Sequence, residues 1–203
     1  MEAGLKIKPL NSWQQHGWNE YLLVAHPDAS INGRIMAEKK MLYEEYKQEI
    51  AVKTKPHITV ASYLAKEEME ETISRYIQRI CNYQQSFNVV LNNYSGFPPH
   101  TIYLRVQDPQ PFKQLAKQLK AVDDYVSSCS CPRVKLITNP HVTIARRLPE
   151  SIYLKALMNF GQRSFHETFM VSELVLLRRA SQFDACKVVS VFSLQPPGHT
   201  LFD

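Results

Sequence analysis

One hexapeptide occurs twice in the chain. Pro56-His57-Ile58-Thr59-Val60-Ala61 and Pro140-His141-Val142-Thr143-Ile144-Ala145 agree at proline, histidine, threonine and alanine, and the two remaining positions only exchange isoleucine and valine. Both copies are rich in β-branched residues and open on a proline, so each predicts a strand. A repeat with one copy in each half of the chain constrains the fold to two comparable halves, each contributing one such strand. On a strand, residues i and i+2 project to the same face, so His57 points with Thr59 and His141 with Thr143, while the isoleucine and valine neighbours pack behind. If a pseudo-twofold axis relates the halves, the two pairs converge across a cleft.

The segments around the repeat alternate in period. Tyr21 to Ala25 predicts a strand closed by His26-Pro27-Asp28, because proline cannot continue a central ladder. Ile31, Ile35, Leu42, Tyr46 and Ile50 recur at helical spacing, which predicts a helix from about Asn32 to Ile50 with Glu38, Lys39, Glu45 and Lys47 on its wet side. The first copy forms the strand Lys55 to Ser62. Met69, Ile73, Ile77 and Ile80 mark a second helix, with Glu67 and Glu68 in the first turn where the helix dipole favours negative charge. Phe87 to Leu91 and Thr101 to Val106 read as a strand pair around a loop, Asn92 to Pro99. Pro109 and Pro111 open a third helix with the apolar face Phe112, Leu115, Leu119 and Val122, and Tyr125 to Pro132 reads as a Ser/Cys-rich loop. After the second copy, Pro140 to Ala145, a helix runs from about Pro149 to Phe160 and ends at Gly161. Strands Phe169 to Arg178 and Lys187 to Leu194 complete the body, and Pro196 to Asp203 is expected to be irregular.

Alternating strands and helices with local hairpins predict an α+β fold rather than a bundle or a sandwich. No linker-like change of composition divides the 203 residues, so residues 1–203 are expected to form a single domain of two lobes. Four cysteines do not make a disulfide framework, and Cys129 and Cys131 are too close for the usual zinc pair, so all four are expected reduced. Met1 to Lys6 lacks the apolar core of a secretory leader, and no apolar run reaches the roughly 20 residues that span a bilayer. The expectation is a cytoplasmic protein without a membrane partner. The net charge of +5 favours anionic ligands, but the basic residues are dispersed from Lys6 to Lys187, which fits a single phosphate or a short strand end better than a long duplex.

Two histidines and two threonines on facing strands suit phosphodiester chemistry. Imidazole titrates near neutral pH, so one ring can take the proton of an attacking hydroxyl or water while the other protonates the departing oxygen. The threonine hydroxyls can donate to nonbridging phosphate oxygens, whose charge changes as the pentavalent transition state forms. A closed zinc site would need further His, Cys, Asp or Glu, so a metal is disfavoured. The chain has no Gly-x-Ser-x-Gly elbow, no P-loop and no Gly-x-Gly-x-x-Gly.

The paired His-x-Thr motifs resemble those of the 2H phosphoesterase superfamily, in particular its bacterial branch of 2′-5′ RNA ligase-like proteins and RNA 2′,3′-cyclic phosphodiesterases. The resemblance implies a bilobal fold of antiparallel sheets around a central cleft, with His57 and His141 as the acid/base pair, Thr59 and Thr143 as phosphate ligands, and no metal or other cofactor. It further implies opening of a 2′,3′-cyclic phosphate to a 2′-phosphate, on an RNA 3′ end or a small cyclic nucleotide. Separately from the resemblance, the protein is expected to be a monomer. Which histidine is the base stays open. Candidate substrate-binding residues are Tyr63, which continues the parity of His57 and Thr59, Tyr103 and Arg105 on one strand face, and Arg146. Simple alternation turns Arg147 rather than Arg146 toward the cleft unless a bulge intervenes. His26 is a possible rim residue, and base recognition is expected in the loops Asn92 to Pro99 and Tyr125 to Pro132. A noncatalytic RNA-end or nucleotide-binding module, and the same chemistry on another ester such as an ADP-ribose cyclic phosphate, are the competing readings.

Overall fold

The computed structural model describes residues 16–181 and 184–197. In chain order these form β1 (Trp18–Ala25), α1 (Ala29–Tyr46), β2 (Ile58–Lys66), α2 (Glu70–Cys81), β3 (Phe87–Phe97), β4 (Thr101–Val106), α3 (Gln110–Gln118), α4 (Lys120–Ser128), β5 (Lys135–Leu136), β6 (His141–Ala145), α5 (Glu150–Gly161), β7 (His166–Val171), β8 (Glu173–Arg179) and β9 (Lys187–Ser193). The strands lie in the order β7-β3-β4-β6-β2-β1-β8-β9, with β5 added on β2, and every ladder between them is antiparallel. Outward from its middle, the order is symmetric: β6 with β4, β3 and β7 on one side, β2 with β1, β8 and β9 on the other. Helices α1 and α5 pack on the first group, α2 and α3 on the second, and α4 packs against α2 and α3. The expected bilobal α+β arrangement with antiparallel sheets is thus the architecture of the chain. Its lobes meet where the repeat predicts, because β6 and β2 are the two copies.

That junction is narrow. The ladder between β2 and β6 consists of Ile58 opposite Val142. Immediately beyond it the strands separate: Val60 accepts from the Ile137 amide, and β5 takes over the edge of β2 at Ala61 and Ser62. Two sheets sharing one central residue pair leave a cleft along the seam.

Local chemistry sets the boundaries of the elements. Asp28 caps α1, accepting from the amides of Ser30 and Ile31, so the helix starts at Ala29 rather than Asn32. It ends at Tyr46 rather than Ile50 because Lys47 takes a left-handed conformation (φ 55°). Lys39 and Glu38 are not on a wet face. Lys39 is 1% exposed and stands on the buried stripe Ile31, Ile35, Lys39, Leu42, while the Glu38 carboxylate accepts from the Tyr94 hydroxyl at 2.5 Å and pairs with Arg163.

The expected loop Asn92 to Pro99 is largely strand. A bulge at Asn92 and Asn93 lets β3 continue to Phe97, with Asn93 at φ 56° and its side chain accepting from the Phe165 amide. Asparagine tolerates that conformation, so its turn propensity is used inside a strand. The loop predicted from Tyr125 is helix to Ser128, since Tyr125 and Val126 continue the apolar face after a break at Leu119. The strand predicted from Phe169 to Arg178 is two strands: β7 pairs with β3, and after Ser172 the chain crosses to pair β8 with β1 in the other lobe. The short β5 has no counterpart among the elements the sequence predicts. The cysteines are all free, Cys81 and Cys131 buried and Cys129 and Cys186 exposed. Of the tail predicted from Pro196, residues 198–203 lie outside the described residues.

Gly96 on β3 fixes the approach of α5. A Cβ at this position would overlap the Tyr153 hydroxyl, which is buried and has no hydrogen-bond partner among the described residues. Gly96→Ala is expected to destabilise by about 1–3 kcal/mol, and adding Tyr153→Phe to recover some of that loss, because the clashing oxygen leaves and no bond is broken. Urea unfolding of the single and double variants checks this; an unchanged midpoint in Gly96→Ala refutes it.

Candidate active site

The repeat extends to backbone geometry. Between β1 and β2 the pairing steps from Leu23–Ala61 to Val24–Thr59, leaving Val60 as the extra residue of a bulge. Between β4 and β6 it steps from Ile102–Ala145 to Tyr103–Thr143, leaving Ile144 as the extra residue. Both copies therefore bulge at their fifth position. The bulge keeps His-x-Thr on the cleft face and inverts the alternation that follows. Burial records the same phase in each: His57 and Thr59 half-buried, Ile58, Val60 and Ala61 buried; His141 and Thr143 half-buried, Val142, Ile144 and Ala145 buried.

The two imidazoles are held alike. His57 Nδ1 lies 2.8 Å from the Lys55 carbonyl and His141 Nδ1 2.9 Å from the Asn139 carbonyl. A carbonyl only accepts, so each Nδ1 carries a hydrogen, and each neutral ring keeps its lone pair on Nε2. The acceptor is in both cases the residue before the motif proline. Proline fixes its own φ and holds its predecessor extended, so the same backbone turn brings a carbonyl to the ring twice.

The register sets the neighbours. Continuing from Ile58–Val142, His57 lies across from Thr143 and His141 across from Thr59, with the two histidines on the diagonal. Diagonal neighbours in an antiparallel ladder are about 7–8 Å apart, so the two imidazoles belong to one patch.

The two ends of this patch differ. His26, which closes β1, places its ring 6.2 Å from that of His57 and its Nδ1 3.1 Å from the Pro56 carbonyl. At the other end, Tyr103 and Phe97 stack at 4.3 Å, and each has its ring centroid 5.0 Å from that of His141. Burial, and then the neighbouring His26, Lys39 and Arg146, push the His57 imidazole down to about 4 against the opposing pull of the Lys55 carbonyl. The His141 imidazole is also lowered, by burial and then by Lys135, against the Asn139 carbonyl.

The other sequence candidates divide. Tyr103 lies opposite Thr143 and Arg105 opposite His141, so both share the motif face, with Arg105 Nε donating to the Asn92 carbonyl at 3.1 Å. The bulge at Ile144 brings Arg146 to the cleft phase, and the chain turns away at Arg147 (φ 57°). The same bulge in the first copy removes Tyr63. It is paired with Tyr21, stacks on it at 5.2 Å and is 4% exposed in the core, so it does not continue the face of His57 and Thr59. Sequence reasoning misses Lys39 and Phe97. The signal for Lys39 is its place on an apolar helical stripe; for Phe97 it is only the two-residue spacing from Ser95, in a segment whose turn residues argue against a strand.

Among the described residues no three His, Cys, Asp or Glu side chains group as a metal site, and no helix is long and apolar enough to cross a membrane. The model of the 2′-5′ RNA ligase superfamily matches residues 27–182. A search of curated proteins finds no significant match. Among solved structures, E. coli LigT complexed with 3′-AMP is 17% identical at a TM-score of 0.64, the match covering 87% of this chain and 98% of that one. TT0787 of Thermus thermophilus is 16% identical at a TM-score of 0.66, covering 88% of this chain and all of that one, 100%. LigT has also been solved with NADP+ and with ATP.

Proposed function

Because the chain belongs to the 2′-5′ RNA ligase superfamily, we propose that it is a metal-independent phosphodiesterase that opens 2′,3′-cyclic phosphates on RNA ends or small nucleotides, with residues 1–203 acting as one monomeric bilobal domain. The observation that carries this reading is the pair of His-x-Thr motifs on adjoining antiparallel strands, each imidazole oriented by a carbonyl through Nδ1. One Nε2 takes a proton from water as the water oxygen bonds to phosphorus. The bond from phosphorus to the ribose 3′ oxygen breaks, and that oxygen receives the proton of the other Nε2–H, leaving a 2′-phosphate. The same steps with a 5′-hydroxyl in water's place form a 2′-5′ linkage, and their reversal, with the two histidines exchanging roles, undoes it. Thr59 and Thr143 donate to the nonbridging oxygens. The Phe97–Tyr103 stack offers a face to a nucleobase, and Arg146 and Arg105 add positive charge at the rim. The nucleotides in the LigT complexes support this ligand class.

Both imidazoles lie below their usual value in the free protein, so the ring that must act as the acid is mostly unprotonated at neutral pH. The bell of kcat/KM, which reports the free enzyme, is therefore expected to peak below about pH 6.5, the ordinary imidazole value. A bound phosphate anion raises both rings, so the limbs of kcat move to higher pH. Turnover of 2′,3′-cyclic nucleotides across pH, with and without chelator and with the product identified as 2′- or 3′-phosphate, tests the reading. Binding without turnover, or activity lost to chelator, overturns it.

A further inference from the structure

Lys39 is a charged side chain where a folded protein does not ordinarily keep one. It is 1% exposed, and among the described residues no carboxylate pairs with it. Asp123, the other buried charge, shows the usual arrangement: it is 6% exposed and meets Arg133 at 2.9 Å, the Val134 amide and the Ser127 hydroxyl. Lys39 instead donates to the backbone carbonyl of Thr143 and to Thr54 Oγ1, each at 3.2 Å. Thr143 belongs to the second motif, and Thr54 to the loop that enters the first, one residue before the Lys55 carbonyl that orients His57. The Thr143 carbonyl is available because it lies on the side of the Ile58–Val142 pair away from β5, where β2 has not yet begun and the loop before Ile58 faces β6.

We propose that Lys39 is a positioning residue of the reaction: its buried ammonium ties the backbone of the second His-x-Thr motif to the loop that orients the histidine of the first, and fixes a positive charge at the seam between the lobes. The proposal rests on the phosphodiesterase reading for its kinetic consequences. The cost of the arrangement points the same way. An unpaired buried ammonium is destabilising, and an apolar side chain of similar length would remove that cost. A purely structural residue at this place on the apolar stripe would be leucine or methionine.

The electrostatic surroundings are those of the seam. His57 is faced by His26 from β1, Lys39 from α1 and Arg146 from the end of β6. Lys39, lowered to about 8 by burial and then by Arg146, is charged at neutral pH and becomes neutral as the pH passes that value. Arg146 itself is lowered by burial and then by Arg147 and Arg179, with Glu20 opposing.

The experiment compares the wild type with Lys39→Met and Lys39→Arg in Tm, kcat, KM and the pH titration of the histidine rings by NMR without substrate. Lys39→Met is expected to melt at or above the wild-type temperature, to lose about 10- to 100-fold in kcat with KM changed by less than about threefold, and to raise the His57 titration by about one pH unit because a neighbouring positive charge is gone. Lys39→Arg is expected to restore kcat and the titration. A Lys39→Met protein with wild-type kcat and titration overturns the proposal, as does a lowered Tm that accounts for the lost activity. Should Lys39→Met not fold, Thr54→Val removes one acceptor and leaves the charge. It is expected to keep the wild-type Tm and to lower kcat about three- to tenfold, and an unchanged kcat overturns the proposal. If the wild type turns over no cyclic phosphate, the functional reading fails by itself, and the NMR titration still decides whether Lys39 acts on His57.

Discussion

Replacing His57 or His141 by alanine is expected to lower kcat on a 2′,3′-cyclic phosphate by about a thousandfold each, within the range general acid–base catalysis supplies. Among the described residues each ring is the sole imidazole at its end of the diagonal, apart from His26 beside His57, whose own Nδ1 is held by the Pro56 carbonyl. The double variant is expected to be little slower than either single one. Proton removal at one end and proton delivery at the other belong to one transition state, and losing either abolishes the concerted path. Folding is spared, since each histidine is half-buried and its ring bonds a carbonyl near solvent. Single-turnover rates, with Tm measured in parallel, decide the matter. A kcat within about tenfold of wild type in either single variant, at unchanged Tm, removes the His/His mechanism. Losses that multiply in the double variant would mean that the rings act in separate steps.

The repeat alone makes the centre of the fold legible: two halves, one motif strand in each, and the strands facing one another across a shared seam. What alternation cannot supply is the phase beyond the motif. Arg146 reaches the cleft only through a bulge, which the arginine pair after the second copy hints at; nothing comparable marks the first copy, and a regular strand there puts Tyr63 on the wrong face. Applying the repeat to backbone as well as to side chains predicts both bulges at once, at Val60 and Ile144. Lys39 is illegible for a different reason. A charged residue on an apolar stripe reads as solvated unless something inside waits for it, and the carbonyl of Thr143 is left to Lys39 only because the β2–β6 ladder is limited to Ile58–Val142 and does not reach it. That is a property of the tertiary arrangement, absent from any local window. The same holds for the crossing at Ser172, where an unbroken apolar run serves two lobes in succession.

The threonines carry the second large effect. Thr59→Val and Thr143→Val preserve shape and β-propensity while deleting a hydroxyl, so each is expected to lower kcat about a hundredfold, the order lost with one preorganised donor to a developing charge. The loss should fall mainly on kcat rather than on KM, because the nonbridging oxygens gain charge only as the fifth bond forms. Register makes the two variants unequal. Thr143 lies across from His57 and holds the backbone carbonyl that Lys39 bonds, whereas Thr59 lies across from His141 next to the Phe97–Tyr103 stack. Serine restores the donor without the methyl group, and Thr143→Ser is expected to recover to within about tenfold of wild type. Because valine keeps the Thr143 carbonyl and its bond to Lys39, Thr143→Val tests the hydroxyl alone, and Lys39→Met tests the backbone anchor. Their coupling in a double-mutant cycle reads how far the anchor works through this threonine: near-additive losses would place the effect of Lys39 on His57, and strongly sub-additive ones on the aim of the Thr143 hydroxyl. A Thr143→Val protein with wild-type kcat would remove Thr143 from the reaction and leave the phosphate to Thr59 and the arginines.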